Sequence, residues 1–95
     1  MTAALLLKIR ALVRAGRVFV SGHAKKELRE DDLSPFDLEH VLATGFLSER
    51  QRDEASGEWK YVVEGAALDG DFVTVVVKLG ASDTLYVIAV FRLHP

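Results

Sequence analysis

Cysteine is absent from the sequence. That excludes disulfides, thiolate nucleophiles and thiolate metal sites. An excess of positive charge is also missing. Twelve Lys and Arg stand against fourteen Asp and Glu, a net charge of −2, so no overall basic field draws in nucleic acid. No long apolar run is present. The stretch from Ala3 to Leu7 is interrupted by Lys8 and Arg10. It is too short to span a membrane, and a signal peptide would carry its charges before the apolar run. The expectation is a cytoplasmic protein with no membrane partner. Histidine occurs three times, as His23, His40 and His94. They lie on unrelated segments without a closely spaced ligand pair, so neither a metal site nor a cofactor is expected.

What is present is ordinary globular material: 49% apolar and 27% charged residues in 95. That is enough for a single domain, residues 1–95, with one core. Leu5, Ile9, Leu12 and Val13 recur at helical spacing and predict an amphipathic docking helix over about 2–15. Thr2 is placed to cap its start, and Gly16 to end it. Arg10, Arg14 and Arg17 gather toward its C-terminal end, where cations favour the helix dipole. After a short extended stretch at Val18–Val20, Ser21 reads as the cap of a second helix over about 22–31, with Ala24 and Leu28 inward. A third helix, about 35–44, is the best specified. Ser34 caps it, Pro35 takes the first position, and Asp37 completes a capping box. Leu33 staples onto Leu38, Val41 and Leu42 continue the buried stripe, and Gly45 ends the helix.

From Phe46 the periodicity becomes two. Strands are predicted at about 46–51, 59–67, 72–79 and 85–93, separated by short turns. The expected architecture is α+β: two or three N-terminal helices packed on a four-stranded antiparallel β-meander. Asp69-Gly70 is a hairpin signal. A two-residue loop there would set Tyr61 opposite Lys78 and Val63 opposite Val76. One face would then carry Tyr61, Val63, Thr74, Val76 and Lys78. The other, with Lys60, Val62, Glu64, Val73, Val75, Val77 and Leu79, would be the helix-covered core. The sequence leaves open which face receives Tyr86 and Arg92.

Several of these residues also form a recognisable pattern. Val20-Ser21-Gly22-His23-Ala24, then Leu33-Ser34 through Val41-Leu42 to Gly45, then Tyr61 to Gly65, Asp69-Gly70, Val75-Val76-Val77 and Ile88-Ala89-Val90-Phe91 together resemble the bacterial domain of unknown function family 4258. The resemblance runs from about Val18 to Phe91. That family is grouped with RelE/ParE-type toxin folds, several of which cleave messenger RNA. The resemblance therefore implies a toxin of a toxin-antitoxin system, a metal-independent endoribonuclease acting on RNA, with a cognate antitoxin as partner. The alternative is a non-catalytic protein-binding module of the same fold, dimerising through an edge strand.

Metal-independent RNA cleavage needs a base, an acid and a cation at one phosphate. The candidate catalytic residues are His23, Lys78 and Tyr61. The candidate substrate-binding residues are Arg29, Lys60, Tyr86 and Arg92. His23 would exchange the proton, Lys78 or Arg92 would hold charge, and a tyrosine would stack on a base or donate a proton. Against this stand Glu27 and Asp31. They occupy the positions four and eight residues after His23, where the family often carries arginine, and Asp32 stands where glycine is usual. They suggest an altered substrate or a basic partner.

Overall fold

The computed structural model describes residues 2–93, without the Thr2 side chain. The capping role of Thr2 and the placement of His94 therefore lie outside the described residues. Three helices, α1 (Thr2–Arg14), α2 (Gly22–Glu30) and α3 (Pro35–Thr44), accompany five strands: β1 (Val18–Val20), β2 (Phe46–Arg52), β3 (Trp59–Ala66), β4 (Phe72–Gly80) and β5 (Thr84–Arg92). The strands form one sheet in the order β1-β5-β4-β3-β2. β2 to β5 make an antiparallel meander, and β1 adds to it in parallel against β5. The sheet is thus mixed and five-stranded, where the sequence predicts four antiparallel strands. Val18–Val20 is too short to show a period of two, and its pairing with β5 is a long-range event.

Helix boundaries follow local chemistry. Ser34 accepts from the Asp37 N–H at 3.2 Å while the Asp37 carboxylate accepts from the Ser34 N–H at 2.8 Å. Asp37 also accepts from the Leu68 N–H at 2.9 Å, fastening the start of α3 to the β3–β4 loop. Ser21 caps α2 through the Ala24 N–H. Ala24, Leu28, Leu38, Val41 and Leu42 are buried, together with Ile9 and Leu12 of α1. Arg10 of α1 donates to the Gly45 carbonyl at 2.8 Å. The end of α3 crosses β3 so closely that a Cβ on Gly65 would sit 2.8 Å from the Gly45 Cα.

The helices cover one face of the sheet. Its core is Val63 and Ala67 of β3 and its loop, Val73, Val75 and Val77 of β4, and Leu85, Val87 and Val90 of β5. Here the predicted hairpin register is wrong by one residue. Tyr61 pairs with Val77 and Val63 with Val75. The loop holds three residues instead of two: the Ala67 N–H bonds the Asp71 carbonyl, and the Gly70 N–H bonds the Ala67 carbonyl. Gly70 has φ +93°, the left-handed conformation such three-residue loops place at their last position. The one-residue change turns β3 over. Tyr61 and Val63 belong to the covered face, and Lys60, Val62 and Glu64 to the open one. The predicted assignment of β4 to the core holds.

A bulge settles the last strand. Val76 pairs with Ala89 but Val77 with Val87, leaving Ile88 unopposed. The extra residue reverses the alternation. Tyr86, opposite Lys78, faces the open side, whereas Arg92, opposite Val73, lies on the helix side.

Candidate functional site

The open face is built row by row from the register. Phe19, Tyr86 and Lys78 align across β1, β5 and β4, and Lys60 and Gln51 continue the row on β3 and β2. The next row is Ala89, Val76, Val62 and Glu49, followed by Phe91, Thr74, Glu64 and Phe46. Phe72 lies beyond, its ring 6.3 Å from that of Phe46. No described helix covers this face. Phe19, Phe46, Phe72 and Phe91 are between 39% and 57% exposed. Tyr86 lies half-buried over Gly80, where a Cβ would meet its ring, and tilts against Phe19 at 5.7 Å.

Both lysines of the first row are held by carboxylates. Lys78 Nζ is 2.6 Å from Glu58, and Lys60 Nζ is 3.6 Å from Asp53. Hydrogen bonding to Glu58, reinforced by its charge, pushes the Lys78 ammonium above the ordinary lysine range. Asp53 is held below the usual carboxylate range, first by the Ser56 and Ala55 N–H groups and also by Lys60. At neutral pH the row therefore presents two compensated ion pairs and two rings.

The three candidate catalytic residues occupy three places. Lys78 is on the open face and Tyr61 on the covered face, where it packs against the core. His23 is in the first turn of α2, its side chain 69% exposed and its Nε2 3.2 Å from Glu27. Of the candidate binding residues, Lys60 and Tyr86 share the open face with Lys78. Arg29 is exposed on α2. Arg92 is a structural clamp. It donates to the Asp31 carbonyl at 2.8 Å, the Asp32 carbonyl at 3.3 Å, Asp71 at 3.0 Å and Asp69 at 3.2 Å.

Glu27 and Asp31 also receive a structural explanation. β1 covers β5 only as far as Val87. Beyond it, α2 runs along the β5 edge, and Glu27 accepts from the Val90 N–H at 3.0 Å while Asp31 accepts from the Arg92 N–H at 2.9 Å. Carboxylates one helical turn apart thus satisfy alternate amides of an unpaired strand edge. Asp32, at φ +52°, takes the left-handed position that glycine favours after a helix.

Sequence reasoning missed the exposed phenylalanines, because alternation alone cannot say which face the helices take. It also missed Trp59, whose ring lies 5.0 Å from the Arg50 guanidinium and 5.4 Å from that of Arg52. Among the described residues no group of three or more His, Cys, Asp or Glu is placed to hold a metal ion. No described helix is long and apolar enough to cross a membrane.

In comparison with known proteins, the family model described as Domain of unknown function (DUF4258) matches residues 20–92, from the end of β1 to the end of β5. No curated protein and no solved structure matches the chain.

Proposed function

The chain belongs to the DUF4258 family, and from that premise we propose that it is a non-catalytic protein-binding module that docks a partner protein on the open face of its sheet. One observation carries the reading: a helix-free face on which Phe19, Phe46, Phe72 and Phe91 stay exposed around Val62 and Val76. Contiguous apolar surface rimmed by polar groups is what protein partners cover. Glu49 and Glu64 share the face, and its lysines are already paired with carboxylates. Both features favour a protein over a polyanion.

The second reading is the RelE/ParE-type toxin, an endoribonuclease with a cognate antitoxin. Lys60, Lys78 and Tyr86 in one row favour it, since rings and cations on a sheet are how single-stranded RNA is held. His23, its candidate for proton exchange, lies on α2 and not in that row. Homodimerisation through the β2 edge is opposed by a bulge at Ser48 and by Glu49, Arg50 and Arg52 along that strand.

A photo-crosslinking residue at position 91, with position 25 on α2 as control, tests the proposal in cells. Protein adducts at 91 that a Val76→Glu variant loses are the expected result. RNA adducts at 91, or RNA cleavage by the purified protein that Lys78→Ala abolishes, would replace it with the toxin reading.

A further inference from the structure

The sheet has three stretches of unpaired edge, and two are guarded. β2 carries a bulge and the charged residues Glu49, Arg50 and Arg52, and the far half of β5 is sealed by Glu27 and Asp31. The third, β1, has neither device. The Leu85 N–H donates to the Arg17 carbonyl at 2.9 Å and the Ser21 N–H to the Val87 carbonyl at 3.0 Å. In a parallel ladder alternate residues turn their main chain to the partner strand. Arg17, Phe19 and Ser21 therefore face β5, and Val18 and Val20 direct their N–H and C=O groups outward. Among the described residues no helix, strand or side chain takes those groups.

A second feature lies against this edge. Val13, Val18, Val20, Pro35, Leu38 and Leu42, together with Gly16 and Glu39, line a mostly apolar cavity of about 230 Å³ on the helix side. It is smaller than the roughly 300–1,000 Å³ of small-molecule pockets. Its position matters more than its size. The Val18 and Val20 side chains line it while their main-chain groups point outward. A strand added to β1 would hydrogen-bond those groups, and its alternate side chains would fall beside Val18 and Val20, into the cavity.

We infer that the β1 edge and this cavity form a strand-docking site for an extended segment of a partner protein with Val, Ile or Leu at alternate positions. Main-chain bonds to Val18 and Val20 give register, and the apolar side chains give affinity. Two outward residues make a short ladder, so the cavity must supply the rest. The site is separate from the open face, and either stands if the other fails.

The full chain can be titrated with peptides of about eight residues carrying Val, Ile or Leu at alternate positions, with amide hydrogen exchange read at Val18, Phe19 and Val20. Exchange at Val18 and Val20 should slow about tenfold or more on binding, while Phe19, already paired with β5, changes little. N-methylation of the peptide residues that face β1 should abolish binding, and methylation of the intervening residues should not. Val20→Pro removes one outward donor without touching the β1–β5 ladder and should weaken binding about tenfold. The peptide-side modification reaches the same conclusion if that variant misfolds. Failure of every peptide to protect Val18 and Val20, or equal loss from methylation at either set, overturns the inference. Protection that rises with protein concentration alone assigns the edge to a second copy of the chain and overturns it as well.

Discussion

β3, β4 and β5 each present one side to the helices and one to solvent, and the two sides have been filled by different rules. The covered side is aliphatic and close-packed, with Val63, Val75, Val77, Val87 and Val90 fully buried beneath Leu42, Val41 and Ile9. The open side mixes exposed phenylalanine, aliphatic side chains and paired charges on the same strands. Stability of this fold is concentrated on the first side. The second leaves phenylalanine rings in solvent that burial in the core does not account for.

Substitutions can break this contrast. The largest expected effect is Leu42→Ala, which empties a fully buried position between helix and sheet. It should cost about 2–5 kcal/mol, whereas Phe72→Ala on the open side should cost about 1 kcal/mol or less. Urea denaturation of the two variants checks the pair, and similar losses would mean that the open side is part of the core. Asp31→Ala unseals the β5 edge by leaving the Arg92 N–H without its charged acceptor. A loss of about 1–3 kcal/mol is expected, with faster amide exchange at Arg92. Ser34→Ala removes the cap that starts the main covering helix and should cost about 0.5–2 kcal/mol, read as a lowered unfolding midpoint.

The same cap has a pH signature. The Ser34 N–H, then the Leu68 N–H, hold the Asp37 carboxyl below its ordinary value. A carboxyl whose native pKa lies below its unfolded value of about 3.9 stabilises the fold above that pH. The contribution disappears as pH falls through the lowered native value. Asp37→Asn should therefore lower stability at pH 7 while narrowing the difference between pH 7 and pH 3, measured by thermal unfolding at both. The smallest effect is a gain. Asp32→Gly relieves a left-handed backbone while keeping the carbonyl that Arg92 uses. It should add up to about 1 kcal/mol, and a loss would show that the Asp32 side chain contributes to the clamp.

Much of the helical layer was legible because its signals are local. The capping box of Ser34 and Asp37, the cap at Ser21 and the buried positions Ala24, Leu28, Leu38, Val41 and Leu42 each depend on residues within a turn of one another. The candidate site was less legible, because it depends on parity. Asp69-Gly70 announces a turn, but two- and three-residue loops both accept glycine at a positive φ. One residue more in that loop carries Tyr61 to the core and separates it from Lys78. The Ile88 bulge likewise separates Arg92 from Tyr86, and no local pattern in Leu85–Phe91 marks it. Glu27 and Asp31 were visible as charges, but their acceptor role requires β5 beside α2.

The sequence alone determined where helices start, which of their faces are apolar, where the chain turns, and that β4 and β5 are strands of a core. Those features arise from caps, periodicity and turn residues acting over a few positions. Tertiary structure decided which way β3 faces, that Val18–Val20 joins the sheet, which edge amides are satisfied, and which rings are left in solvent. These follow from how helices and strands distant in sequence fit together. A strand's alternation specifies two faces equally well until something packs on one of them.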